Sequence, residues 1–545
     1  MALARQVFVL LSVLVACWGF ERCEASGKFS FEVHHMFSDA VKQSLGYDNH
    51  VPEEGSLDYF KVLAHRDRLI RGRGLASNNE ESPITSMEGN RTLAIGFLGF
   101  LHYANISVGT PATWFLVALD TGSDLFWLPC NCGTTCIRDL QDAGFSESVP
   151  LNLYSPNASS TSSSIRCNDE RCFESRRCTS LTSICPYQFS NSITTTTTGS
   201  LLQDVLNLVT EDEDLKPINA NITLGCGQNQ TGLFQRRLSV NGVLGLGMKD
   251  YSVPSLLAKA NITANSFSMC FGRVVSVVGR ISFGDKGYTD QAETPFISVE
   301  PSIAYGVNVT GLSVGGDPVG LRLFAQFDTG SSFTHLMEPA YGIFTKAFDS
   351  LVEDTRRPAD PDMPFEFCYN LRSSHLNFDA LPLHMQSKPY NHYFPLTGVD
   401  FGRRIHTDSE ESVFFNKEGN LMYCLGILKN LNVNIIGQNF MSGYRIVFDR
   451  ERMILGWKRS NCFEDESLTT STTPPPPEIE APSPPTVSTP LPLSSPPPPP
   501  PLVFADTPPP VDTGGSTGTP GTSGVANLIP LASQLLLLLP VLAFL

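Results

Sequence analysis

Apolar and polar positions change rhythm several times along the chain. An apolar run from Val7 to Val15 follows Arg5 and gives way to small residues at Cys23 and Ala25, the pattern of a secretory signal peptide over residues 1–25. Farther on, Phe60, Leu63, Ala64 and Ile70 recur at helical spacing behind Ser56 and Asp58, which predicts a helix from Leu57 to Arg71. Its basic end, Arg66, Arg68, Arg71 and Arg73, reads either as a cover for a carboxylate-lined cleft or as a solvated helix face, and charge alone favours the second. From Leu101 to about Cys462 the rhythm shortens to β-prone runs broken by Gly, Pro, Asn and Ser, among them Tyr103–Val108, Trp114–Ala118, Arg280–Phe283 and Tyr444–Phe448. A mostly β body of about 360 residues is expected, large enough for two lobes.

The carboxyl end carries no such pattern. Between Pro474 and Asp512, 18 of 39 residues are Pro, too many for a packed core. Extended at about 3.1 Å per residue, this stretch forms a stalk of up to roughly 120 Å. Small residues Gly514, Gly515, Ser516, Thr517 and Gly518, a polar spacer and the apolar tail Leu528–Leu545 complete the chain. The tail could nearly span a bilayer, yet no Lys or Arg follows Arg459 to flank it on a cytoplasmic side. The pattern fits a GPI signal with the anchor at Ser516, or at Gly515 or Gly514, and a tail that is removed.

Composition narrows the class. With 38 Lys+Arg against 54 Asp+Glu the net charge is −16, which argues against a nucleic-acid partner because no clustered cations are available to neutralise phosphates. Loss of Cys17 and Cys23 with the signal peptide leaves an even set from the 14 cysteines, suited to disulfides in an oxidising compartment. Glycosylation sequons at Asn90, Asn105, Asn157, Asn221, Asn229, Asn261 and Asn308 agree with that route.

The candidate chemistry is duplicated. Phe115-Leu-Val-Ala-Leu-Asp120-Thr-Gly-Ser123 recurs 208 positions later as Leu323-Phe-Ala-Gln-Phe-Asp328-Thr-Gly-Ser331, each an apolar strand delivering an acid into a Gly turn. One such tetrapeptide is an ordinary turn. Two in matching context, followed by Val243-Leu244-Gly245 and Ile435-Ile436-Gly437 respectively, predict a duplicated β lobe with one carboxylate from each lobe meeting at the interface.

These residues resemble the pepsin-like aspartic endopeptidases, and more narrowly the atypical, nucellin-like plant members with a GPI tail. The similarity extends over roughly Leu101 to Cys462 and includes Trp127 after the first motif, Ser266-Phe-Ser-Met-Cys270-Phe-Gly272, and Ile435 through Asp449. The resemblance implies a bilobal β fold with a pro-segment at 26–95, an amino-terminal lobe at 96–295 with a Cys-rich insertion, a carboxyl-terminal lobe at 296–463, a stalk at 464–513 and an anchor signal at 514–545. It implies catalytic roles for Asp120 and Asp328, support from Thr121, Gly122, Ser123, Thr329, Gly330 and Ser331, and a place in the substrate cleft for Trp127. It further implies disulfides Cys368–Cys424 and Cys270–Cys462, and a stapled insertion from Cys130 to Cys185 with Cys226. One departure stands out. The family closes a flap tyrosine over substrate a few residues after a Cys-Pro-Tyr element, but Cys185-Pro186-Tyr187 is followed by Gln-Phe-Ser-Asn191, with no Tyr near Asn191. The flap residue is therefore left unassigned.

Two like charges about 3 Å apart do not ionise together, so such a pair shares a proton in acid; one carboxylate draws a proton from water while its partner polarises the scissile carbonyl. No metal or cofactor is called for. The expected partners are peptide or protein substrates, the outer leaflet of the plasma membrane through the GPI lipid, and the cell wall, with a monomer as the expected state. Rival readings are weaker. Cys130, Cys132, Cys136, Cys167, Cys172, Cys178 and Cys185 resemble metal ligands only outside the secretory route. The histidines, including His34, His35 and His335, form no ligand pair; Ser123 and Ser331 lie in no nucleophile elbow; and the Gly-rich Val240–Gly247 lacks a phosphate-loop lysine. The alternative function is a catalytically weak or inactive relative that binds proteins or wall polysaccharide. A mainly structural wall glycoprotein leaves the paired Asp motifs unexplained.

Overall fold

The computed structural model describes residues 28–45, 52, 54–71, 84–85, 92–93, 99–143, 148–190, 195–210, 216–236, 241–272, 278–297, 305–314, 317–319, 321–360, 363–370, 383–387, 392–396 and 422–462. The expected signal peptide, stalk and anchor signal lie outside them, as do Asn90, Asn191, Gly514, Gly515 and Ser516.

The β-prone runs become strands, usually a residue or two longer than the pattern predicts. The amino-terminal segment supplies strand β1 (Phe29–His35) and helix α1 (Leu57–Arg71). There follow β2 (His102–Val108), β3 (Thr113–Asp120), β4 (Phe126–Pro129), β5 (Pro186–Ser190), β6 (Thr196–Val209), β7 (Pro217–Gln230) and β8 (Val243–Gly245). Next come β9 (Ser266–Cys270), β10 (Gly279–Phe283) and β11 (Ala292–Pro295). The second half adds β12 (Leu323–Phe327), β13 (Thr334–Met337), β14 (Ile435–Ile436) and the closing hairpin β15 (Tyr444–Asp449) and β16 (Ile454–Arg459).

A 14-stranded sheet runs β11-β16-β15-β9-β10-β1-β2-β3-β8-β4-β7-β6 and ends on Ser163–Ser164, with β5 paired to β6. The last hairpin among the described residues thus returns to the first half of the molecule, where Phe267 of β9 and Phe448 of β15 are register partners and stack at 4.7 Å. A separate five-stranded sheet places β14 between β12 and β13, flanked by Tyr305–Val309 and Ile427–Asn430.

The amino-terminal segment is built into this sheet. β1 lies between β10 and β2, with Phe31 opposite Ile281 and His35 opposite His102. Phe29, Val33, Met36 and Phe37 are buried in the common core, each contributing about 1.5–3 kcal/mol relative to exposure. Helix α1 has the predicted bounds, and of its basic end Arg68 is exposed, as charge alone favoured, whereas Arg66 is not. Arg66 is 5% exposed and Asp67 fully buried, because Tyr59, Phe60, Val62, Leu63 and Ala64 seat the helix in the core and carry these two residues inward with them.

Six disulfides fasten the described residues: Cys130–Cys226, Cys132–Cys136, Cys167–Cys178, Cys172–Cys185, Cys270–Cys462 and Cys368–Cys424. The sulfurs of Cys167, Cys172 and Cys178 lie within 4.8 Å of one another, yet every one of them is consumed in a disulfide. All six described sequon asparagines, Asn105, Asn157, Asn221, Asn229, Asn261 and Asn308, are exposed.

Candidate active site

The two Asp motifs fold into matching loops. Strand β3 pairs in parallel with β8, setting Asp120 opposite Gly245, and β12 pairs in parallel with β14, setting Phe327 opposite Ile436. The apolar-apolar-Gly elements are therefore the strands beneath each acid. Glycine is required there: a Cβ on Gly245 would enter the Asp124 backbone, and one on Gly437 would enter the Phe333 carbonyl. Leu246 N–H bonds the Asp120 carbonyl at 2.9 Å, and Asp328 N–H bonds the Ile436 carbonyl at 3.1 Å, so each loop is closed from below.

Each carboxylate is nearly buried and held by its own turn. Asp120 Oδ1 accepts from Gly122 N–H at 3.0 Å, and Asp328 Oδ1 accepts from Gly330 N–H at 2.8 Å. Ser331 Oγ donates to Asp328 Oδ2 at 3.4 Å, whereas Ser123 Oγ has no hydrogen-bond partner among the described residues. Between the loops, Thr121 Oγ1 and Thr329 Oγ1 lie 3.2 Å apart, and Thr329 N–H donates to Thr121 Oγ1 at 3.3 Å. These two contacts join the acid-bearing loops directly. Asp124, just past the first motif, is buried; that burial raises its carboxyl above the ordinary range, against the opposing Lys249 N–H bond.

Helix α1 docks on the second loop. Arg66 Nη2 donates to the Gly330 carbonyl at 2.9 Å and Arg68 Nη2 to the Pro364 carbonyl at 3.0 Å. Asp67 accepts from the N–H groups of Ser332 and Phe333 and from the Ser332 hydroxyl, and faces His335 Nε2 at 3.2 Å. Burial alone would raise the Asp67 carboxyl, but the His335 bond, the Arg66 charge and the Ser332 N–H together hold it below its ordinary value.

Comparison with known proteins bears on this arrangement. Residues 102–285 match the family model described as "Xylanase inhibitor N-terminal", and residues 304–459 match "Xylanase inhibitor C-terminal". "Aspartyl protease family protein 1" of Arabidopsis thaliana is 49% identical over 465 residues, covering 84% of this chain and 86% of that protein. The chain belongs to the pepsin-like plant aspartyl protease family. A further family member, "Aspartic proteinase-like protein 1" of the same plant, is 34% identical over 480 residues, covering 85% of this chain and 86% of its own. Among solved structures, basic 7S globulin from soybean shares the family fold, with a TM-score of 0.50 and 20% identity over 66% of this chain and 92% of that one.

The Cys-Pro-Tyr element and Trp127 meet in one aromatic cluster. Tyr187 of the Cys-Pro-Tyr element points inward, fully buried, with its hydroxyl 3.1 Å from Thr197 Oγ1. Two residues on, Phe189 occupies the same face of β5 and meets Phe234, with ring centroids 6.2 Å apart. Trp127 packs edge-on against that same Phe234 at 5.2 Å, and its Nε1 has no hydrogen-bond partner among the described residues. The aromatic nearest the expected flap position thus has no hydroxyl. Sequence reasoning missed Phe189 and Phe234, although an aromatic two residues after Tyr187 was a usable signal. It also missed Asp67, Ser332 and His335, for which no spacing rule exists because their partners are more than 260 residues away.

Proposed function

We propose that the protein is an aspartic endopeptidase of the secretory route, held at the outer face of the plasma membrane by a GPI lipid, with release to the cell wall as a further fate. The single observation that carries the catalytic reading is the pair of matching Asp120 and Asp328 loops joined through Thr121 and Thr329. In this reading the dyad holds one proton between two carboxylates in acid. The ionised member takes a proton from a water poised between them, and the protonated member donates to the carbonyl oxygen of the scissile peptide as the C–O bond forms. Proton transfer to the amide nitrogen then breaks the C–N bond, leaving an acid and an amine. Residues 26–95 act as a pro-segment, and the contacts of Arg66 and Asp67 with the Asp328 loop support its blocking the cleft. The substrates are extended peptide segments of proteins, and the enzyme works as a monomer.

The test is cleavage of an unstructured protein by the acid-processed chain between about pH 3 and 7, where such dyads share a proton, with pepstatin, Asp120→Asn and Asp328→Asn as controls. Acid-dependent cleavage abolished by each substitution is the expected result. A folded, processed protein that cleaves nothing favours the second reading, a protease fold retained for binding, to which the unpartnered Trp127 Nε1 and the hydroxyl-free Phe189 also point.

A further inference from the structure

Asp67 is the most completely satisfied carboxylate on helix α1, and almost everything that satisfies it belongs to the body of the protein. Its Oδ2 accepts the N–H groups of Ser332 at 2.8 Å and Phe333 at 3.0 Å and faces His335 Nε2 at 3.2 Å. Its Oδ1 accepts the Ser332 hydroxyl at 2.9 Å and the Ser332 N–H at 3.0 Å, with Arg66 Nη1 at 2.8 Å. Only Arg66 shares the helix with Asp67. The remaining donors sit four to seven residues past Asp328, on the loop that carries that acid and on strand β13.

Among the described residues these donors have no alternative partner within the sheet. Ser332 and Phe333 precede β13, so their N–H groups point out of the ladder, while the Ser332 carbonyl is already engaged by Asn439 N–H at 3.0 Å. Backbone donors left without an acceptor are costly when shielded from water. Once α1 leaves, two adjacent N–H groups, a hydroxyl and an imidazole converge on one vacated position. A single carbonyl oxygen satisfies one or two of them; a bidentate carboxylate satisfies all four. Beside that position lies a cavity of about 290 Å³, bordered by His335, Tyr341, Glu366 and Lys429.

We propose that this receptor is a substrate subsite for an acidic side chain, Asp or Glu, of an extended protein substrate, and that Asp67 is its intramolecular occupant. The proposal rests on the reading of residues 26–95 as a removable pro-segment. Sites built to hydrogen-bond a polar group discriminate strongly against analogues that lack it, so substrate choice would be set partly by this receptor.

The test uses the full chain after release of its amino-terminal segment by acid or limited proteolysis. The probes are apolar decapeptides with Asp or Asn walked through successive positions, made both with ordinary amides and with a non-cleavable reduced central bond. At about pH 5, where a peptide Asp is ionised, one position is expected to show about tenfold tighter binding of Asp than Asn by fluorescence anisotropy, and a matching ratio in kcat/KM. In Ser332→Ala and His335→Phe the Asp-to-Asn ratio at that position is expected to fall to about twofold or less. The ratio within one variant cancels any general loss of activity. Equal binding of Asp and Asn peptides at every position overturns the proposal, whether or not the protein cleaves them, and so does a preference that survives both substitutions. Acid-selective binding without cleavage upholds the subsite and overturns the protease reading; cleavage without acid selectivity does the reverse.

Discussion

His35 and His102 are register partners across the β1–β2 pairing, with ring centroids 5.5 Å apart, so the amino-terminal segment and the first strand of the body each bury an imidazole against the other. Burial, reinforced by the Arg66 charge, lowers His35 from 6.5 to about 3. Burial first, then His35 and Arg66, holds His102 well below 6.5.

Both imidazoles are neutral when docked and free to protonate when undocked, so docking is fully stable above about pH 6.5 and weakens as pH falls toward 3, by up to about 1.4 kcal/mol per pH unit for each histidine. Amide protection factors of residues 29–35 and 57–68, corrected for the slowing of intrinsic exchange in acid, are expected to fall as pH falls through this window. His35→Phe is expected to move that onset to lower pH. An onset unmoved by the substitution would remove His35 from the response.

Asp67 responds at the lower end. Its carboxyl lies below the ordinary 3.8, so its contribution is fully present above that value and is lost as pH falls beneath it. Arg66→Ala leaves this buried carboxylate with less countercharge and is expected to cost about 3 kcal/mol of docking at neutral pH. The measurement is exchange protection of α1 with and without the substitution, with strands outside the segment as an internal reference.

Gly437 tests the architecture of the second loop. A methyl there would overlap the Phe333 carbonyl, and backbone cannot swing aside as a long side chain can. Gly437→Ala is expected to destabilise the chain by about 2–3 kcal/mol, read from urea unfolding, and to shift the loop that presents Asp328. Unchanged stability would mean that the loop has slack the packing does not show.

Phe189→Tyr tests the proposed role of this aromatic cluster. Both Trp127 and Phe189 pack on Phe234, and Trp127 Nε1 lacks a partner among the described residues. A hydroxyl on residue 189 is expected to offer an acceptor near that indole and to raise kcat/KM by about 3–10-fold, in keeping with one added hydrogen bond. No change in kcat/KM would place the two groups out of reach of each other.

How much of this was legible before folding depends on the distance over which each feature is encoded. Helix α1 was readable to the residue because its apolar repeat and its Ser56–Asp58 start are local. The strands β2, β3, β10 and β15 were readable for the same reason. The paired Asp loops were readable because duplication wrote the same local solution twice, and a strand–acid–Gly turn carries its geometry in a few consecutive residues.

The fate of Arg66 was not legible. Charge placed Arg66 in water, and only docking against Phe333 and the Asp328 loop gave it and Asp67 partners more valuable than solvent. His35 with His102, and Asp67 with His335, were likewise invisible, because pairing between strands or across lobes brings together residues that no periodicity relates. By itself, the sequence determined the β class, the amino-terminal helix and the two candidate carboxylates, all of which follow from short-range pattern. Only the tertiary structure decided that the amino-terminal segment supplies a strand of the central sheet and a helix docked on the second Asp loop, because burial and hydrogen-bond satisfaction there depend on surfaces that exist only once the lobes have formed.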